Sequence, residues 1–180
     1  MNLLKKITVS FLLVLGIFIT GCKKVEGPLT DLRPATPIII SNAIAFRPEP
    51  TVSVSRSAIG AGGVVGPFEI VLTIPESSPR TFKSITKVAA PGVVSYSRIQ
   101  STSTIGVFNT APIPASGKSA TFRTSLTEYL AKTPSETNPL VPAGTISASN
   151  TELGRRFYFL ITLDDGTEII PEPVRVLVFD

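Results

Sequence analysis

The chain has no histidine and no tryptophan, and one cysteine and one methionine in 180 residues. Each shortage removes a kind of chemistry. Without an imidazole there is no histidine general base, no Ser-His-Asp or Cys-His nucleophile and no histidine-ligated metal. Without tryptophan, and with only Tyr96, Tyr129 and Tyr158 as tyrosines, the chain has few of the broad rings that sugar-binding faces use as platforms. The three tyrosines all fall inside or beside apolar runs, where a core or boundary role is expected. A single thiol forms no internal disulfide, so the fold must stand on its core. Long apolar runs are scarce too: the one at residues 7–19 has 13 residues, whereas a helix needs roughly 20 to cross a bilayer. Charge of one sign is also lacking. Beyond residue 21 there are 15 basic and 13 acidic residues, and Arg155-Arg156 is the only adjacent basic pair after Lys23-Lys24. No basic stripe remains for nucleic acid.

What is present begins with an address. Lys5-Lys6 precede the apolar stretch, and small residues close it, which is the order of a secretory signal. Gly21, Cys22 and charged Lys23 follow at once, so a permanent span is not expected. Ile19-Thr20-Gly21-Cys22 resembles the bacterial lipobox, in which an aliphatic residue, a small residue and Gly or Ala precede the cysteine that is acylated. The resemblance covers the targeting segment alone. It implies removal of residues 1–21, lipidation of Cys22 as the new N-terminus, and membrane lipid as a partner. One acyl chain holds a protein at a membrane only marginally, and two or more hold it stably.

Residues 22–36 mix charge with Gly27, Pro28 and Pro34 and have no apolar period; they read as a flexible tether. Residues 37–180 read as one domain, large enough to bury a core unaided. Its main signal is period two. Phe68, Ile70, Leu72 and Ile74 alternate with Glu69, Val71 and Thr73, and Ala120, Phe122, Thr124 and Leu126 alternate with Thr121, Arg123 and Ser125. Noisier alternation predicts strands over residues 37–46, 51–56, 80–89, 93–99 and 104–108. At the C-terminus, residues 156–163 and 167–179 flank Asp164-Asp165-Gly166, whose glycine supplies the left-handed residue of a tight hairpin. Phe157, Phe159, Ile161 and Leu163 point one way and Tyr158 and Leu160 the other, so this strand is expected to be covered on both faces. Pro171 and Pro173 cannot donate to a ladder and imply a bulge or an edge. Helix is expected only at residues 125–132, where Ser125 and Glu128 have capping-box spacing.

The prolines and glycines gather between these runs, at residues 60–67, 109–117 and 133–144. The expected fold is all-β, an antiparallel immunoglobulin-like sandwich of about 7–9 strands. A lipobox followed by one Pro/Thr/Ser-rich β-domain resembles the small uncharacterised lipoproteins of the Bacteroidota, and the resemblance implies an immunoglobulin-like or fibronectin-like domain behind the tether. The Cys and Trp that mark true immunoglobulin domains are absent.

Three motifs invite chemistry and fail on context. Ser84-Ile85-Thr86-Lys87 spells the S-x-x-K of penicillin-binding proteins, yet no S-D-N or K-T-G accompanies it and it lies in a strand pattern. Gly60-Ala61-Gly62-Gly63-Val64-Val65-Gly66 lacks the G-K-[ST] ending of a phosphate loop and leads into Pro67 and a strand, so it reads as a mobile loop. Asp164-Asp165 is explained by its turn and lacks the further oxygens of a calcium site.

No catalytic, cofactor or metal residue is therefore assigned. The expectation is a non-catalytic binding or interaction module on the cell envelope, accessory to an outer-membrane complex and with an envelope protein as possible partner. Glycan binding is the second choice, and a two-carboxylate glycosidase a distant third. Lipoproteins retained at the inner membrane commonly carry Asp after the acylated cysteine and surface-exported ones a run of acids. Here Lys23-Lys24-Val25-Glu26 follows, which favours the outer membrane and its periplasmic face. Replacing Cys22 with Ser should abolish incorporation of labelled acyl chain, and a Cys22→Ser protein that still carries label would refute the lipobox assignment.

Overall fold

The computed structural model describes residues 36–46, 48–92, 96–133 and 151–179. The leader, Ile19, Thr20, Gly21 and Cys22, nearly all of the tether and residues 134–150 lie outside them. Where the sequence alternates cleanly, strands form with nearly the expected limits. β1 is Ile39–Ile40, β2 Thr51–Ser55, β3 Pro67–Thr73 and β4 Phe82–Ala89. A short helix α1, Tyr96–Gln100, precedes β5, Ile113–Pro114, and β6, Ser119–Ser125. Helix α2, Leu126–Lys132, comes next, followed by β7, Thr151–Glu152, β8, Tyr158–Leu163, β9, Glu168–Ile169, and β10, Arg175–Phe179.

The strands pair as β1-β3-β6, β5-β4-β8-β9 and β2-β10-β7. Each two-residue strand sits at an edge of its sheet, and such short edges offer little template for another chain. All these pairs are antiparallel except β2 with β10, where Thr51 to Ser55 run parallel to Arg175 to Phe179. The result is an all-β sandwich with one parallel pair joining the first long strand to the last. Its core draws on all three sheets: Ile70, Leu72 and Phe122 from one, Ile85, Phe159 and Ile161 from the second, and Val52, Val54, Val176 and Val178 from the third.

The C-terminal hairpin forms as expected. Leu163 donates to Thr167 O at 2.9 Å and Gly166 donates to Leu163 O at 3.0 Å, with Gly166 at φ 85°; this is a three-residue turn closed by a left-handed glycine. Beyond β9 the ladder breaks across Pro171 and Pro173, then resumes at Val174, which exchanges two 2.9 Å backbone bonds with Phe157. The prolines thus sit where the C-terminal strand leaves one sheet for the next. Phe157, Phe159, Ile161 and Leu163 are buried in the main core, while Tyr158 packs with Ala89 and Ile99 in a small second core on the opposite face.

Helix α2 starts at its expected cap, where the Ser125 hydroxyl accepts from Glu128 N at 3.0 Å. The glycine-rich stretch is not an open loop. Gly60 donates to Val64 O at 2.7 Å, and the segment docks on the start of α2 through Leu126 N to Gly66 O at 3.0 Å. Gly66 has φ +58°, and a Cβ there would lie 2.5 Å from the Leu126 side chain. A larger residue would break this contact.

Three weaker strand expectations are corrected. In 93–99, the described part is α1: Ile99 buries against β4 and β8, and the Ser101 hydroxyl donates to Arg98 O at 2.9 Å at the helix end. Residues 104–108 form a turn with a single bridge at Val107, because the Ser101 and Ser103 hydroxyls accept backbone N–H groups that a ladder would use. Residues 37–46 give only β1 before the chain turns at Ser41-Asn42. Conversely, 109–117, read as a connection, contains β5.

Phe159 is fully buried. Its truncation to Ala should cost about 3–5 kcal/mol, read from the midpoint of a two-state chemical denaturation; a cost under about 1 kcal/mol would remove β8 from the centre of the core.

Candidate functional site

The outer face of β4 and β8 is where the alternation leaves Thr86, Lys87 and Leu160 half-buried instead of sealed in the core. Two register irregularities in β4, between Phe82 and Ser84 and between Ile85 and Lys87, turn this part of the strand relative to β8; such bulges re-aim side chains. Over this face stand α1, the 101–104 turn and residues 109–112, and together they enclose a groove of about 490 Å³. Val107 and Leu160 supply its apolar surface above the buried Ile99, and Lys132 at the end of α2 reaches its margin. A volume of this size is in the usual range for a small-molecule site.

Two side chains hold the groove in shape. The Lys87 ammonium donates to Ser101 O at 2.7 Å and Ser103 O at 3.0 Å, tying the turn to the strand. Asn109 replaces missing rungs of the sheet edge. Its Oδ1 accepts from Val88 N at 2.7 Å, and its Nδ2 donates to Thr86 O at 3.1 Å and Ala111 O at 2.8 Å. One side-chain amide thus bridges the gap between the 106–108 segment, where Phe108 N donates to Val88 O at 2.9 Å, and β5. Asn42 does the same on the edge of β3, donating to Glu69 O at 2.8 Å and accepting from Val71 N at 3.0 Å.

The motifs singled out in the sequence go to structural work. In Ser84-Ile85-Thr86-Lys87 the lysine is bound to the carbonyls just named, while Ser84 shares a 3.3 Å hydroxyl contact with Thr86, which also bonds Thr162. No nucleophile–base pair results. Asp164 accepts from Thr81 N at 3.2 Å, and Asp165 accepts from Thr167 N at 2.9 Å and pairs with Arg80 at 2.7 Å. The Thr167 N–H, with Arg80 adding to it, holds the Asp165 carboxyl below the usual carboxylate range. Among the described residues no group of three or more acidic or thiol side chains is placed to hold a metal.

Tyr129 and Tyr158 are buried and Tyr96 is half exposed. The Tyr129 hydroxyl accepts from Arg155 N at 3.1 Å. Tyr96 and Tyr158 meet edge to face at 5.6 Å, and burial first, then the carboxylates of Glu172 and Glu49 for Tyr96, raises their phenol pKa values above the ordinary one. One exposed ring met by the edge of another is not the paired platform that sugar stacking needs. Three further acids pair with arginines: Glu49 with Arg156, Glu69 with Arg123 at 3.3 Å, and Glu152 with Arg175 in a two-pronged pair. The bond from Glu152 raises the pKa of Arg175.

Fold and groove define a β-sandwich with a hydroxyl- and amide-lined concavity on an outer face. The chain matches no protein-family model, no curated protein and no solved structure.

Asn109 to Ala strips Val88, itself fully buried, of the acceptor for its N–H. A buried donor left unpaired costs about 1–3 kcal/mol. The expected result is a lower denaturation midpoint together with faster hydrogen exchange at the Val88 amide; unchanged values for both would show that Asn109 does not support the edge.

Proposed function

We propose that this chain is a lipid-anchored protein of the bacterial cell envelope, held through acylated Cys22, whose sandwich is a non-catalytic binding module serving an outer-membrane complex. The observation that carries the binding reading is the groove on the outer face of β4 and β8, which is concave and of ligand size, yet has no acid among its described lining residues. Hydrolysis by paired carboxylates needs two acids flanking one bond, and the chain has no histidine to replace them. A site with a lysine fixed by two carbonyls and a rim of hydroxyls can hold a ligand without transforming it.

The anchor reading rests on Ile19-Thr20-Gly21-Cys22 at the end of the apolar run, with Cys22 the sole cysteine. Among the described residues no helix is long and apolar enough to cross a membrane. The basic start of the tether, Lys23-Lys24, favours the outer membrane and its periplasmic face over the cell surface.

Lys83 is exposed on β4 and reports on which side of the membrane the domain lies. A membrane-impermeant amine reagent should leave it unlabelled on intact cells and label it once the outer membrane is permeabilised. Labelling of Lys83 on intact cells would place the domain on the surface and overturn the periplasmic assignment.

A further inference from the structure

We infer that the groove takes a small hydroxylated anion, a carboxylate-bearing sugar of the uronic-acid type, held between Lys87 and Lys132. The inference rests on the domain being a binding module, and it names the ligand class. An ammonium has three donors. Two of those of Lys87 are fixed on Ser101 O and Ser103 O, which leaves the third, on a rigidly placed cation, for a ligand. Lys132 lines the same groove and has no ion pair or hydrogen bond among the described residues. Among the described residues no acid lines the cavity, although Glu49, Glu69, Glu152 and Asp165 are each matched with an arginine elsewhere. Two cations with no counter-charge among the described lining residues make a local positive potential that concentrates anions.

The walls narrow the choice among anions. Gln100, Thr102, Thr104 and Thr110 line the groove and make no side-chain hydrogen bond among the described residues, so their hydroxyls and amide are available to ligand hydroxyls as donors and acceptors. Val107 and Leu160, half-buried over Ile99, offer an apolar surface to the C–H face of a pyranose. Among the described residues no aromatic ring lines the groove. A neutral sugar would therefore lose its stacking contribution, and the paired lysines supply through charge what stacking does not. Inorganic phosphate shares the charge but uses neither the hydroxyl rim nor the apolar surface.

Calorimetric titration of the full acylated chain in detergent micelles with digalacturonate tests this. Saturable binding that weakens as salt is raised is expected, and Lys132→Gln should weaken it about tenfold or more, as loss of a charge-assisted contact does. Lys132 has no partner among the described residues; this variant and Lys87→Gln, which also frees the 101–104 turn, are both checked by circular dichroism before use. Absence of binding would overturn the inference and leave the anchored-module reading standing. Equal binding of neutral digalactose, or an unchanged affinity in Lys132→Gln, would overturn the role of charge, and binding of phosphate but not of digalacturonate would overturn the sugar assignment. Recovery of shortened sugar after titration would overturn the non-catalytic reading while supporting the ligand class.

Discussion

The packing around Phe157 is the contact on which the other parts depend. Its ring lies 5.0 Å from Phe108, 5.9 Å from Phe68 and 6.0 Å from both Phe122 and Tyr129. Those four residues come from the segment beside β4, from β3, from β6 and from α2, so one side chain ties two sheets and a helix together. Tilted and edge-on ring contacts of this kind add about 0.5–1.5 kcal/mol each beyond area burial. The backbone of the same residue exchanges hydrogen bonds with Val174, at the place where the C-terminal strand passes from β9 into β10. In a chain without disulfides, this aromatic centre takes over the cross-linking.

The groove follows from that centre through the pleat of β8. Phe157, Phe159 and Ile161 go inward, which sends Tyr158 and Leu160 outward by the period of two. The outward residues then gather Ala89, Ile99 and Val107 into the second small core, and this core forms the floor on which α1 and the 101–104 turn rest. Tyr129, held against Phe157, fixes α2, whose last residue is Lys132. The cation at the groove margin is therefore placed by the main core, through Tyr129 one turn earlier on the same helix.

The sequence made the strands legible where one face is buried and the other wet, as in β3 and β6, because the alternation there reflects a real difference in environment. The hairpin at Asp164-Asp165-Gly166 and the cap at Ser125 were legible for a local reason: each needs a particular residue at a fixed spacing. Helix α1 was not, since five residues complete little more than a turn and Ile99 is the one described side chain among them that is buried, which leaves no helical period to read. The groove was legible only in its parts. Lys87 stood out within Ser84-Ile85-Thr86-Lys87, but its partners are backbone carbonyls, which carry no sequence signal. Lys132 lies 45 positions away and enters through the helix, and Asn109 acts as a substitute for backbone, a role that any loop asparagine could be given on paper. The parallel register of β2 with β10 was equally hidden, because pairing between the two ends of a domain is set by the whole topology.

That parallel pair has a mechanical consequence. The start of β2 and the end of β10 lie at opposite ends of the ladder in which Thr51 faces Arg175 and Ser55 faces Phe179. Tension applied between the two termini pulls these strands lengthwise in opposite directions once the two-residue β1 has peeled away. The interstrand bonds then bear the load in shear, all together, and do not open one after another as in a hairpin pulled from its open end. The sandwich is built to stay closed when its two ends are pulled apart.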